Sequence, residues 1–223
     1  MRTTPGGAIA DLFRGQRGTD IVERIALGAV LLPGFADSEG AALYGVVEEI
    51  AARAPFRGMT TPGGHSMSVT TASCGKAGWV SDKTGYRYDR VDPGTGKPWP
   101  AMPALFLDLA CRAAAQAGFA NFVPDACLIN RYVAGAKMSL HQDRNERDFS
   151  QPIVSVSLGL PAVFLFGGLR RTERPRRLHL QHGDVVVWGG PARMTFHGVE
   201  PLHEGTHPLT GRCRINLTFR KAL

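Results

Sequence analysis

From residue 125 onward, apolar and polar positions alternate in short runs broken by Gly, Pro, Asp and Asn. A period of two marks a strand with one face buried. The pattern predicts strands at 126–133, 153–160, 162–166, 177–181, 184–188, 194–199 and 212–220. The upstream part is mixed. Residues 25–35, I-A-L-G-A-V-L-L-P-G-F, read as one strand stopped at Pro33-Gly34. Asp37 or Ser38 is placed to cap a helix running to about Arg53, with Leu43, Val46, Val47 and Ile50 at helical spacing. T-P-G-G at 61–64 predicts a turn, S-M-S-V-T-T-A at 66–72 a strand, D-P-G-T-G-K-P-W-P at 92–100 a loop, and 103–117 a second helix. Seven or so short strands with few helices predict a mainly β fold with flanking helices, built as a barrel or sandwich. The expected organisation is a flexible basic leader over 1–20 and a single domain over 21–223.

Composition narrows this picture. Gly 27 and Pro 15 supply turns, and 43% hydrophobic residues supply a core. No run of about 18 apolar residues exists, so no spanning helix is expected. The first residues hold no apolar stretch long enough for a signal peptide. Cys74, Cys111, Cys127 and Cys213 are widely spaced and form no C-x-x-C, which predicts reduced thiols in a cytoplasmic protein. The net charge of +7 favours a polyanion. Arg170, Arg171, Arg174, Arg176 and Arg177 fall in one Pro-containing turn and are expected to cluster at one rim.

The candidate chemistry lies in L-H-Q-D-R and M-T-F-H-G. His141 and Asp143 are two apart, and His197 follows Asp143 by 54 positions. Two imidazoles and a carboxylate can hold Fe(II) on one face of an octahedron and leave other positions open. The final strand adds specificity. Alternation in C-R-I-N-L-T-F-R puts Arg214, Asn216, Thr218 and Arg220 on one face and Ile215, Leu217 and Phe219 on the other. A polar row with an arginine at each end suits a cavity that grips an organic acid, since guanidinium binds carboxylate bidentately. Asn130 and Tyr132, also two apart on a strand, can face the same space.

Other motifs point nowhere. H-E-G-T-H at 203–207 matches a zinc-protease pattern, but Pro201, Gly205 and Pro208 oppose the helix it needs. D-P-G-T-G-K-P lacks the first glycine and the Ser/Thr of a phosphate-binding loop. His179 and His182 read as exposed residues at a strand end, and Trp99 and Trp188 as packing residues. Trp79 reads equally as a core residue or as a stacking platform.

Longer segments carry a resemblance. A-P-F-R, T-P-G-G, G-K-P-W-P-A-M-P, P-D-A-C-L-I-N-R-Y, L-H-Q-D, P-I-V-S-V-S-L-G-L-P, F-G-G-L, H-G-D-V-V-V-W-G-G and N-L-T-F-R run from about Leu27 to Arg220. They resemble the AlkB family of Fe(II)- and 2-oxoglutarate-dependent dioxygenases, which repair alkylated bases. The resemblance implies a double-stranded β-helix (jelly-roll) core over about 120–223 with an N-terminal nucleotide-recognition lid over about 55–100. It implies His141, Asp143 and His197 as iron ligands, and Asn130, Tyr132, Arg214, Asn216 and Arg220 around 2-oxoglutarate. Either Arg214 or Arg220 would take the far carboxylate. It implies Trp79, Tyr86 and Arg171 as contacts to the nucleotide. With O2, the implied reaction oxidises an N-methyl group that leaves as formaldehyde, while 2-oxoglutarate becomes succinate and CO2.

The implied substrate is alkylated DNA of the N1-methyladenine and N3-methylcytosine type, preferably single-stranded, with RNA as a further candidate. No membrane or obligate protein partner is expected, and the implied state is a monomer. Two positions depart from the family pattern. Asn145 stands where an acidic residue usually reads the base, and His65 stands where a tyrosine is usual. Glu146 is adjacent, but its side chain is expected to start from the opposite side of an extended segment. Two rival readings remain open: an oxygenase of the same chemistry acting on protein or small molecules, and a nucleic-acid-binding module without catalysis.

Overall fold

The computed structural model describes residues 21–223; the expected leader lies outside them. The chain begins with a hairpin. Strands β1 (Glu23–Ala26) and β2 (Ala29–Leu32) pair antiparallel around Leu27-Gly28. The expectation of one strand over 25–35 is therefore corrected. Gly28 turns the chain at φ 81°, and a Cβ there would meet the Gly189 carbonyl at 2.5 Å, so only glycine fits. A 3-10 turn (Asp37–Glu39) leads into α1 (Gly40–Arg53). Neither start carries a side-chain cap, which corrects the capping role expected of Asp37 or Ser38. The second helix, α2 (Ala104–Gln116), starts after Pro103, as expected.

Two sheets face each other. The larger contains β3 (Arg57–Thr60), β4 (Ser66–Gly75), β7 (Ala126–Tyr132), β9 (Ile153–Gly159), β12 (Val185–Trp188) and β14 (Arg214–Arg220), together with β1 and β2. Its eight strands run in the order β1-β2-β12-β9-β14-β7-β4-β3. The smaller sheet contains β8 (Met138–His141), β10 (Ala162–Phe166), β11 (Arg176–Leu180) and β13 (His197–Val199), in the order β11-β10-β13-β8. The large crossovers between antiparallel neighbours make this the expected jelly-roll. A separate hairpin, β5 (Gly78–Asp82) and β6 (Gly85–Asp89), was not legible in the sequence.

Two cores position the site. One packs Leu43, Val47, Ile50, Phe106 and Leu109 of the helices against Cys127, Ile129, Val156, Leu217 and Phe219 of the large sheet. The other fills the space between the sheets with Leu31, Val186, Trp188, Phe164, Phe166 and Leu180. Each fully buried Leu, Val or Phe contributes about 1.5–3 kcal/mol relative to exposure. Between these cores β14 has every residue buried, its apolar face on the helices and its polar face on an enclosed space. Among the described residues, no helix is long and apolar enough to cross a membrane.

Candidate active site

Strand register assembles the first cluster. β13 pairs β8 with His197 directly opposite His141. Gly198 permits the close approach, since a Cβ there would meet the Met138 carbonyl at 2.6 Å. The two imidazoles lie 4.4 Å apart, centre to centre. Asp143 follows two residues after His141, with its oxygens 3.8 Å from Nε2 of each histidine. One ligand atom from each of the three lies within 4.8 Å of the others. Backbone carbonyls fix both rings: Ser139 O lies 2.9 Å from His141 Nδ1 and Thr195 O lies 3.1 Å from His197 Nδ1. A proton held on each Nδ1 leaves each Nε2 lone pair aimed at the shared point. Burial, then the neighbouring His141, lowers the His197 pKa to about 4, so its ring is neutral, as metal ligation requires. Burial alone would raise the Asp143 carboxyl, but Arg220 overrides it and holds the group well below the usual carboxylate range.

The polar face of β14 forms the adjoining wall. Register sets Asn216 opposite Asn130 and Arg214 opposite Tyr132 on β7. On the other side β9 contributes Ser155, which accepts from Asn216 Nδ2 at 2.8 Å, and Ser157, which accepts from Arg214 Nη2 at 3.0 Å. These serines were missed, although P-I-V-S-V-S shows the same alternation as β14. Arg214 is 1% exposed, and its Nε and Nη1 have no hydrogen-bond partner. Its guanidinium lies 5.1 Å from the centre of the Tyr132 ring. A buried cation with two unsatisfied donors is costly unless an anion completes it. Arg220 is different: its Nε and Nη2 already grip Asp143 Oδ2 at 2.9 and 2.7 Å, leaving only Nη1 unpartnered. The open choice between the two arginines is thereby narrowed: Arg214 can take the far carboxylate of a dicarboxylic acid, while Arg220 sits beside the metal cluster. The donor set fits Fe(II) and 2-oxoglutarate together.

The cavity joining these walls has a volume of about 550 Å³, within the usual range for a ligand site. Trp79 and Tyr86 of the β5–β6 hairpin reach its mouth, stacked at 5.7 Å with planes 17° apart. Asn145 also lines it. Its Oδ1 accepts from Trp79 Nε1 at 3.2 Å, and its Nδ2 donates to Tyr86 O at 3.3 Å. Asn145 is expected to face the substrate; the structure also ties it to the aromatic hairpin. His65, the other departure, is exposed on the turn before β4 and does not line the cavity.

The basic turn is only partly at the rim. Arg170 pairs with Glu173, Arg177 with Glu200, and Arg176 donates to Ile25 O. Arg171 alone of these lines the cavity, and among the described residues no hydrogen-bond or ion-pair partner holds it. The five arginines lie exposed on one turn and the start of β11, as expected, but of them only Arg171 reaches the cavity. Other set-aside residues resolve as follows. His203 to His207 form a loop, as expected. His182 is not simply exposed: it is half-buried, accepts from Gly159 N at 3.0 Å, and stacks on His207 at 4.7 Å. Trp99 is buried and donates to Asp89 O. Trp188 is buried 5.0 Å from His197 and also forms cavity wall.

The comparisons with known proteins agree with this geometry. The model of the 2OG-Fe(II) oxygenase superfamily matches residues 28–220. The Alpha-ketoglutarate-dependent dioxygenase AlkB of Escherichia coli (strain K12) is 56% identical over 90% of this chain and 93% of its own. The DNA N(6)-methyladenine demethylase ALKBH1C of Arabidopsis thaliana is 32% identical over 60% of this chain and 35% of its own. The solved structure of OsALKBH1 superposes with a TM-score of 0.78 at 28% identity, covering 90% of this chain and all of that one. The chain belongs to the 2OG-Fe(II) oxygenase superfamily and, within it, to the AlkB family of dioxygenases that work with Fe(II), 2-oxoglutarate and O2.

Proposed function

We propose that this protein is an oxidative demethylase of N-alkylated bases, of the N1-methyladenine and N3-methylcytosine type, in DNA. The observation that carries this reading is the stacked Trp79–Tyr86 pair held at the mouth of a cavity lined by His141, Asp143 and His197. An aromatic platform at that position suits a flat, cationic ring, with a cation–π gain of about 0.5–2 kcal/mol. His141, Asp143 and His197 hold Fe(II). Arg214, with Ser157 and Tyr132 behind it, takes the far carboxylate of 2-oxoglutarate. Asn130, Asn216 and Arg220 line the rest of its bed.

When bound, Fe(II) with 2-oxoglutarate and O2 supplies oxidation of a methyl C–H bond. The N-hydroxymethyl base then breaks its N–C bond, releasing formaldehyde and restoring N–H or the neutral ring nitrogen; 2-oxoglutarate leaves as succinate and CO2. The protein orients: Trp79 and Tyr86 set the plane of the base, the cavity walls exclude bulk water, and Arg171 holds a phosphate at the rim. A base inside this cavity must leave its stack. A methylated base that cannot pair costs less to extrude, and a single strand costs least, which favours single-stranded DNA. Residues 55–100, carrying β3 to β6, serve as the nucleotide lid. A monomer in the cytoplasm completes this reading, and the four free cysteines suit that reducing compartment. RNA bearing the same lesions is the alternative substrate. Mass spectrometry of a methylated oligonucleotide after incubation with Fe(II) and 2-oxoglutarate tests the reading. Loss of the methyl group supports it; an unchanged mass with oxidation of a peptide or metabolite instead would replace it.

A further inference from the structure

Glu146 and Arg193 form a buried ion pair beside the iron site. Their side chains are 2% and 3% exposed and meet at 3.2 Å. Glu146 does not line the cavity, so it is in no position to read a base. The pair reaches Asp143 by two routes. Arg193 Nη1 donates to the Asp143 backbone carbonyl at 3.2 Å, and its Nε donates to Gln151 O at 3.1 Å. Glu146 Oε1 lies 3.3 Å from Arg220 Nε, and that same Nε donates to Asp143 Oδ2. Tyr88 on β6 donates its hydroxyl to the same Glu146 Oε1 at 2.9 Å and helps fix the carboxylate.

We propose that Glu146 and Arg193 are positioning residues for the metal aspartate. Arg193 fixes where the Asp143 backbone lies. Glu146 shares the Arg220 guanidinium, so that Asp143 keeps a carboxylate free enough to ligate metal. Outer partners of ligating groups usually matter about 10–100-fold for metal affinity. A buried ion pair is weak evidence of a stabilising role by itself, because desolvation offsets its attraction. The convergence of both partners on one ligand is the stronger account of why the pair is there. The proposal rests on reading His141, Asp143 and His197 as the metal site.

The test is calorimetric titration of the metal-free protein with Mn(II), with Tm measured beside it. Glu146→Gln keeps the shape but removes the charge, leaving Arg220 wholly on Asp143. It should raise the Mn(II) Kd about tenfold or more. Arg193→Lys keeps the charge but loses the fork that reaches Asp143 O and Gln151 O, and should raise Kd several-fold; it also covers the case in which Glu146→Gln does not fold. Arg57→Lys, in the Arg57–Asp92 pair of the lid loop, is the control for general loosening and should leave Kd unchanged. Unchanged Kd in both Glu146→Gln and Arg193→Lys, with Asp143→Ala weakened, would overturn the positioning role alone. An equal loss in Arg57→Lys would overturn it too. Wild-type binding by Asp143→Ala would instead overturn the metal-site reading beneath it.

Discussion

Asn145→Asp separates charge from geometry at the base platform. In the present chain the Asn145 amide accepts from Trp79 Nε1 at 3.2 Å and donates to Tyr86 O at 3.3 Å. Aspartate keeps the acceptor and loses the donor, placing a carboxylate oxygen against a carbonyl. The lost hydrogen bond costs about 0.5–1.5 kcal/mol in the placement of the hairpin. That cost falls on every substrate alike. The new charge does not. A cationic base stacked on Trp79 would sit roughly 6–8 Å from it. At an effective dielectric of about 20–40 for this partly solvated mouth, the attraction is about 1–3 kcal/mol. The ratio of kcat/KM for N1-methyladenine over neutral N1-methylguanine therefore cancels the first effect and isolates the second. It should rise about tenfold, even if both absolute values fall. Steady-state formaldehyde release from two oligonucleotides of the same sequence context measures it. An unchanged or lower ratio would show that position 145 holds the hairpin and does not sense the charge of the base.

Asp143→Ala should abolish turnover while circular dichroism shows a retained fold; full activity would remove Asp143 from the iron site. Arg214→Lys should raise the KM for 2-oxoglutarate roughly tenfold, because Lys lacks the fork that presents the unpartnered Nε and Nη1; an unchanged KM would mean that the polar face of β14 does not bind the co-substrate. Affinity for a short single strand should fall linearly in log salt. Arg171→Ala should lower repair of an oligonucleotide several-fold while leaving a free methylated nucleoside nearly unaffected, and equal losses on both would take Arg171 off the phosphate.

The parts legible in the sequence were those with an unbroken period. In R-I-N-L-T-F-R, two-residue alternation separates the cavity-lining Arg214, Asn216, Thr218 and Arg220 from the core residues Ile215, Leu217 and Phe219, as the structure has them. His141 and Asp143, two apart, needed only a partner strand to become a cluster, and β13 provides it. What failed lacked such a signal. Ala26-Leu27-Gly28-Ala29 is apolar through a tight turn, so a hairpin read as one strand. Trp79 and Tyr86 lie in a Gly- and Lys-rich stretch whose hairpin pairs over only five residues a side. Arg193 stands in a Gly-Pro turn 47 residues from Glu146, and no local pattern predicts a buried ion pair across that distance. The same holds for Asn145, whose tie to the hairpin depends on β6 arriving from 59 residues upstream.

The account rests most directly on whether oxidation of 2-oxoglutarate is coupled to demethylation of nucleic acid. Succinate and formaldehyde should be measured together, under limiting protein, with an N1-methyladenine oligonucleotide, its unmethylated twin, and no nucleic acid. The account predicts one formaldehyde per succinate with the methylated strand, and a slow succinate background without formaldehyde in the other two. Succinate formation that is indifferent to the methylated strand would contradict it and point to a protein or small-molecule substrate. No succinate under any condition would leave a nucleic-acid-binding protein in place of an enzyme.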